Sequence, residues 1–532
     1  MASGSEHSLD SALLHAAEME APDAKPCAVE FDEKYVFWAM RNLPVKEAVK
    51  HFLVCGAIGT GKTTSIDLFL QSIAKRFVEP RETPEQLIVF DAKCDIIPKL
   101  AAWGIKVEDD GAKNNVWLLN PYDERTAVWD IAEAVESPLM ARHFAALLVP
   151  EEHGSSAPFF WTASRQLVYA VILGLGRIPG KRRWDLRDLL CALVSKERIM
   201  AVASMHPRAG EIAASILGDD QHYHSIISTL STKIGPIEEV AALWHNLRAE
   251  RPFSIKRFLE RPGVLILGND PVLRESLWPI TAMLLKSLTK EILRKPNFDG
   301  PRYWFVLDEF TAMERVDSIQ ELVNRGRSKG ASILVGIQGI DRLNQLYGET
   351  GANDLLEQCA SKTFLRAGGP TTARWIESFF GQYRDLEENY SRSHGKETST
   401  SVKQDVTERN IFLGSYFMNL PFTGPGRPFV AVNDVPSLGK TFITRRRFDE
   451  IVKWLVVPND QEKADALRAR DDIKDQTLNP WDPADVAAFC PPIEPESSPE
   501  PSAEPSAGGD SGLPTRASRF SGSKKGKRDG GE

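Results

Sequence analysis

Gly56-Ala57-Ile58-Gly59-Thr60-Gly61-Lys62-Thr63, with Thr64 directly behind it, is the stretch around which this chain is organised. Before it, His51-Phe52-Leu53-Val54-Cys55 reads as a short buried strand. After it, residues 64–75 place apolar side chains at Ile66, Leu68, Phe69, Leu70 and Ile73, the spacing of an amphipathic helix. A G-x-x-x-x-G-K-T string between a strand and a helix is the setting of a phosphate-binding loop. Its glycines let backbone N–H groups turn inward around phosphate oxygens, and the helix N-terminus adds its positive end. Lys62 is expected to reach the β- and γ-phosphates of a nucleotide, ATP, and the Thr63 hydroxyl to hold magnesium. The competing explanation is a chance glycine-rich turn. The match at every fixed position and on both flanks disfavours it.

A second signature lies far along the chain. Tyr303-Trp304-Phe305-Val306-Leu307 is an apolar run ending in Asp308-Glu309. Hydrolysis needs one carboxylate to fix the metal and one to polarise the attacking water, roles that fall to Asp308 and Glu309. Taken alone, a strand ending in two surface acids would be ordinary; paired with the phosphate loop, it points to nucleotide chemistry. Ser332-Ile333-Leu334-Val335-Gly336-Ile337 is a further strand, ending at Gln338, whose amide could sense a γ-phosphate. Arg327 precedes that strand, and in a ring of subunits it could reach a neighbour's nucleotide. Surface or helix-capping roles remain open for both. Leu87-Ile88-Val89-Phe90 is followed by Asp91-Ala92-Lys93, and ligands of open α/β sheets gather outside the carboxyl ends of strands. Asp91 and Lys93 are therefore expected either to face the nucleotide or to form a plain strand-exit turn.

Between these signatures, residues 129–254 repeat apolar positions at helical spacing with little strand-like alternation. This predicts an all-α domain inserted into an α/β nucleotide-binding domain. The expected layout is a flexible leader at 1–30, the nucleotide-binding domain in two parts at 31–128 and 255–458, the insert at 129–254, and a mostly disordered tail at 459–532. Lys181, Arg182, Arg183 and Arg187 form a basic cluster, read as a solvated face or a nucleic-acid contact. The polar, Ser/Thr-rich stretch 383–406 predicts a mobile loop. Gly439-Lys440-Thr441 resembles a second phosphate loop but has Asp434 where the first glycine belongs. Arg445-Arg446-Arg447 is expected to begin a last helix running to residue 457. Residues 491–532, rich in Pro, Ser, Glu and Gly, cannot bury a core and are expected to be disordered.

The bulk properties are those of a globular protein: 532 residues, 42% hydrophobic and 26% charged, with a net charge of −8 that gives no global attraction to nucleic acid. Any DNA contact must come from local basic surface. The six cysteines form no C-x-x-C pair, which argues against a zinc site or a disulfide framework and fits a reducing cytoplasm. His222 and His224 have no ligand cluster around them and read as a solvated helix or loop. No signal peptide opens the sequence, and no stretch reaches the roughly 18–20 apolar residues that span a bilayer. A cytoplasmic protein is expected, with peripheral attachment to the inner membrane as the alternative.

Several strings together resemble one family. They are residues 56–63, Asp91-Ala92-Lys93, the Asn120-Pro121 turn followed by Trp129, Phe160-Trp161, Leu307-Asp308-Glu309-Phe310, Gly326-Arg327-Ser328-Lys329-Gly330 running into Gly336-Ile337-Gln338, and Gln345-Leu346-Tyr347-Gly348. They look like the conjugative coupling proteins of type IV secretion systems, the TraD/TrwB-like ATPases. The resemblance covers about residues 31–455, and its most specific part is 327–348. It implies a RecA-like P-loop NTPase domain with an all-α insert, assembled as a homo-hexameric ring. Such rings couple ATP hydrolysis to DNA movement and recruit relaxase–DNA complexes or secreted proteins to the channel. By motif, Lys62 and Thr63 would bind phosphate and magnesium, and Asp308 and Glu309 would serve hydrolysis. Arg327 would be the arginine finger and Gln338 the sensor. The family usually begins with two membrane-spanning helices, and none is seen here, so a separate membrane-anchoring partner or a soluble relative is expected. Its Asp-x-Lys motif is usually followed by Gly and an acid. Here Cys94 precedes Asp95, so the local turn is expected to differ.

The leading functional expectation is a DNA-stimulated ATPase that pumps single-stranded DNA, with basic pore loops holding the backbone without reading bases. A docking platform for secreted proteins and a FtsK/HerA-type pump for duplex DNA are the alternatives.

Overall fold

Strands rich in Val, Ile, Leu and Phe, apolar at consecutive positions, are buried on both faces, as a parallel sheet covered by helices requires. In chain order the strands of the main sheet, including its more polar members β7 and β9, are β1 (Phe52–Cys55), β2 (Gln86–Asp91), β3 (Val116–Leu119), β4 (Gly263–Gly268), β5 (Tyr303–Leu307), β6 (Ala331–Ile337), β7 (Ser361–Phe364), β8 (Pro428–Val435) and β9 (Lys440–Arg447). The computed structural model describes residues 18–19, 31–108, 110–150, 158–178, 183–218, 220–247, 251–268, 274–394, 398–470 and 477–490. Across the sheet the order is β9-β8-β7-β1-β6-β5-β2-β4-β3, with the two-residue strand Glu18–Met19 beyond β9. The seven strands from β7 to β3 run parallel. β8 and β9 turn back antiparallel at one edge.

Alternation divides the core between the two faces of the sheet. Phe52 and Val54 pack with the helix Lys62–Ile73 and with Trp38, Leu43 and Trp304. Leu53 and Cys55 face the opposite layer, with Phe305, Leu307 and the helix Arg274–Arg294. Each fully buried side chain of this size contributes roughly 1.5–3 kcal/mol from leaving water.

The insert leaves the sheet after β3 and returns before β4. Its way out and way back pair as two short parallel strands, Val128–Trp129 and Pro252–Phe253. Between them the described residues form helices, the longest being Pro158–Leu175 and Asp220–Ile234. Residues 167–175, the most apolar run of the sequence, are core of the first of these. Among the described residues, no helix is long and apolar enough to cross a membrane. His222 and His224 lie on the helix Asp220–Ile234, and no group of metal-ligating side chains occurs among the described residues.

Several expectations from the sequence need correction. The stretch expected as a mobile loop is a long antiparallel hairpin, Gln382–His394 paired with Thr398–Asn410. Polar composition misled here because a ladder of backbone hydrogen bonds does not require apolar side chains. Arg445, Arg446 and Arg447 end strand β9, and the helix after them, Phe448–Val452, has only five residues. Gly439, left-handed at φ 71°, closes the turn Pro436–Leu438 between β8 and β9, and Lys440 and Thr441 open β9 by pairing with Val435 and Asp434. The basic cluster is tied to carboxylates where it is described: Arg183 pairs with Asp130, and the buried Arg187 bonds Asp485 at 2.8 Å. Lys181 and Arg182 lie outside the described residues.

Part of the stretch expected to be loose is folded. Residues 477–490 pack on the insert: Trp481 donates its indole N–H to Asp188 at 3.1 Å and stacks on Phe489. Upstream, Asp465 reaches Arg125, whose guanidinium is also held by Asp123 at 2.7 Å. The disorder expected over 491–532, the leader at 1–17 and 20–30, and the basic run at 524–528 lie outside the described residues.

Candidate nucleotide site

The carboxyl ends of β1, β5 and β6 converge, and the residues singled out in the sequence meet there. The loop from Gly56 leaves β1 and feeds the helix Lys62–Ile73. Gly56 N–H donates to Ile337 O at 3.0 Å and Ala57 N–H to Arg366 O at 2.9 Å. These two residues therefore anchor the loop between β6 and β7. Thr60 is buried and its hydroxyl donates to Ala57 O at 2.7 Å, closing the turn. Gly59 and Gly61 are left-handed, at φ 75° and 99°, a conformation other side chains rarely adopt. Ile58 projects outward, and Thr64 follows Thr63 in the first turn of the helix.

Lys62 reaches across the sheet. Its Nζ lies 2.9 Å from Glu309 Oε2, and both side chains are nearly buried. The Gln338 amide donates to the same carboxylate oxygen at 3.0 Å, and the Thr311 hydroxyl to Oε1 at 3.3 Å. Burial pushes the Glu309 carboxyl up, but the Lys62 charge and the Gln338 bond outweigh it and hold Glu309 below the usual carboxylate range. Glu309 is therefore an anion at neutral pH, held by the lysine of the phosphate loop.

Asp308 stands beside this cluster. Lys93 Nζ lies 3.0 Å from Asp308 Oδ2 and 3.4 Å from Thr63 Oγ1, so one cation bridges the hydroxyl and the carboxylate. Burial pushes Lys93 down, while attraction to Asp308 more than restores it. The other Asp308 oxygen, Oδ1, is buried without a hydrogen-bond partner. A hydroxyl and a carboxylate around a common point, with one carboxylate oxygen left over, fit the oxygen donors that magnesium prefers. The backbone brings these groups together because β6 carries Gly336 where β5 ends. A side chain there would come within 2.1 Å of Asp308 O.

Asp91 is placed differently from the other loop residues. Its carboxylate accepts the N–H groups of Asp95 and Ile96, both at 3.2 Å, and so caps the helix Ile96–Ala102. Burial drives its pKa up to about 6. The turn that allows this keeps a left-handed residue: Cys94 stands at φ 55°. For a residue other than glycine this conformation costs roughly 1–2 kcal/mol.

Arg327 lies away from the cluster. It sits in the short 3-10 turn Arg327–Lys329, exposed, before the amino end of β6. The seven residues of β6 separate it from Gln338, about 20 Å at the rise of a strand. Close to it is His51, buried at the start of β1, whose ring bonds Val323 O at 3.0 Å and accepts Ile333 N–H at 3.2 Å.

Sequence reasoning missed the strap that closes the loop from outside. Thr423 N–H donates to Gly59 O at 2.9 Å and its hydroxyl to Thr60 O at 2.8 Å. Phe429 fills the space beside Gly61, where a methyl group would meet its ring at 2.7 Å. No local pattern marks these residues, because their partners lie more than 360 positions away.

A family model described as the type IV secretion-system coupling protein DNA-binding domain matches residues 38–427. The chain is 22% identical over 409 residues to the coupling protein TraD of Escherichia coli strain K12, an alignment covering 74% of this chain and 53% of that protein. The chain thus spans about half the length of this curated relative. Among solved structures, the unbound bacterial conjugative coupling protein TrwBdeltaN70 superposes with a TM-score of 0.60 at 19% identity, covering 79% of this chain and 90% of that one. The plasmid coupling protein TrwB in complex with ADP and magnesium superposes with a TM-score of 0.56, also at 19% identity, over 79% and 89%. The fold is therefore the RecA-like nucleotide-binding fold with an all-α insert.

Proposed function

We propose, from the premise that this chain belongs to the type IV secretion-system coupling proteins, that it is an ATPase that moves DNA during conjugative transfer. The observation that carries the reading is the cluster Lys62–Glu309–Gln338 beside the phosphate loop, at the carboxyl ends of β1, β5 and β6. In this reading Lys62 and the amides at the start of the helix bind the phosphates of ATP, and the loop from Gly56 to Thr64 encloses them. Thr63 and Asp308, the pair that Lys93 bridges here, would hold magnesium, which would supply charge neutralisation at the phosphates.

Lys62 has two anions to choose between. In the structure it holds Glu309; when phosphates arrive it turns to them and Glu309 is released to orient and deprotonate water. Gln338, already bonded to Glu309, keeps the carboxylate aimed and reports on the γ-phosphate. Glu309 thus stays restrained until substrate is bound, and its proton-accepting group is freed by the same event that brings the phosphates in.

Arg327 lies too far from its own site to act there. We assign it to the nucleotide of an adjacent subunit in a homo-hexameric ring, where it stabilises transition-state charge. Single-stranded DNA is the proposed cargo, delivered with a relaxase, and a separate membrane partner fixes the ring at the channel. The net charge of −8 means that DNA must be gripped by local basic surface rather than by the molecule as a whole.

Steady-state ATP hydrolysis by the purified chain, alone and with single- or double-stranded DNA, tests this beside Lys62→Ala. Turnover should rise with single strands and fall by about a hundredfold or more in the variant. Stimulation by duplex alone would replace the reading with a double-strand pump. Slow turnover indifferent to DNA would replace it with a protein-docking platform.

A further inference from the structure

The phosphate loop lies on β1, between two different neighbours. On the β6 and β5 side stand Gln338, Asp308 and Glu309. On the β7 side stands the strap carrying Phe422 and Thr423, with Arg366 just beyond the end of β7. A nucleotide laid along the loop with its γ-phosphate towards Glu309 directs its nucleoside towards that strap.

Phe422 is an unusual residue in that place. It keeps 44% of its surface exposed although it is a large hydrophobic side chain. The segment holding it is fixed to the loop by the two Thr423 bonds, to Gly59 O and Thr60 O. A methyl group added at Gly59 would lie 3.8 Å from Phe422 Cδ1, so the ring stands beside the loop with about one methyl group of space between them. The Arg366 guanidinium lies 4.6 Å from the ring centroid. Arg366 is itself fixed: it donates to Leu420 O at 2.6 Å, and its carbonyl accepts Ala57 N–H. An exposed aromatic ring, backed by a fixed cation and tied to the phosphate loop at both ends, is a stacking surface.

We infer that Phe422 is the platform on which the nucleotide's base stacks, with Arg366 as the residue that positions it. The inference rests on the reading of residues 56–63 as the phosphate site. A flat ring recognises the π-face that every base offers, so it provides affinity without choosing among bases. It also gives the strap a role in the cycle. Base binding engages the segment 420–423, which Thr423 bonds to the loop, and so joins the nucleotide to the antiparallel edge of the sheet.

The test compares two probes on the full chain by calorimetry: magnesium ATP and magnesium tripolyphosphate, which has the phosphates without a base. Phe422→Ala should weaken ATP binding by roughly tenfold to a hundredfold. It should leave tripolyphosphate binding unchanged, and Phe422→Trp should restore ATP binding. Unchanged ATP affinity in Phe422→Ala would overturn the inference. So would an equal loss for both probes, since the ring would then only shape the loop. The phosphate reading fails in a different way: the unaltered chain would bind neither probe, and Lys62→Ala would change nothing.

Discussion

The two ends of β1 and β6 carry opposite kinds of chemistry. At the carboxyl ends, charges are concentrated and paired: Lys62 with Glu309, Lys93 with Asp308, and Gln338 bonded into the first pair. At the amino ends, Arg327 is exposed, and its buried neighbour His51 is uncharged at neutral pH. The same two strands thus join a cluster of paired charges to an outward-facing cation about 20 Å away. The difference teaches that the same strands can hold charges paired within one chain at one end and leave a charge exposed at the other. On the function proposed above, the paired end serves nucleotide and the exposed arginine serves a neighbouring subunit.

The largest expected effect breaks this comparison at Arg327. Arg327→Ala should lower turnover by about 10³–10⁵ while leaving ATP affinity intact. Mixing Arg327→Ala subunits with Lys62→Ala subunits should restore part of the turnover, because a mixed ring contains interfaces with an intact loop and an intact arginine. Loss of ATP binding in Arg327→Ala, or no recovery on mixing, would remove the assignment across subunits.

Glu309→Gln tests the other end. Turnover should fall by about 10²–10⁴. ATP should bind as tightly as before or more tightly, because Lys62 no longer has an anion to leave. Normal turnover in this variant would show that another group accepts the proton.

The smallest effect concerns His51 and sharpens the contrast in charge. Ile333 N–H donates to Nδ1, so the proton is on Nε2, facing Val323 O. A second proton would set two donors against each other. Burial, helped by the nearby Arg327 charge and opposed by the bond to Val323, brings the His51 pKa down to about 4 from 6.5. The folded state therefore favours neutral histidine. That contribution is complete above pH 6.5 and is lost as pH falls through 4, amounting to about 3 kcal/mol. Urea denaturation at pH 7 and pH 4 should show His51→Gln losing less stability over this interval than the unaltered chain. Equal losses would mean that His51 titrates normally.

Much of the candidate site was legible in the sequence, for a local reason. A phosphate loop, a strand ending in Asp-Glu and a strand ending in Gln are each written within about ten residues, and parallel strands place their carboxyl ends on one side. The helical insert was legible too, because periodicity is a property of neighbours along the chain. Asp91 shows where local reading was insufficient. It stands at a strand's carboxyl end, as expected, but its carboxylate is taken up by the amides of Asp95 and Ile96. The hairpin at 382–410 was missed because backbone pairing, not side-chain polarity, makes it. Arg187 was read as surface because its partner, Asp485, is nearly 300 residues away.

The sequence by itself determined that this chain has a nucleotide-binding fold with Lys62, Thr63, Asp308 and Glu309 as its polar centre. Those residues are set by strand ends and loop chemistry, which need no distant partner to be recognised. Only the tertiary structure decided that Lys62 rests on Glu309 and that Lys93 bridges Thr63 and Asp308. It alone placed Arg327 at the far end of the sheet and Phe422 against the loop. Those facts depend on strand order and on contacts between residues hundreds of positions apart. Sheet topology fixes them, and a string of residues does not state it.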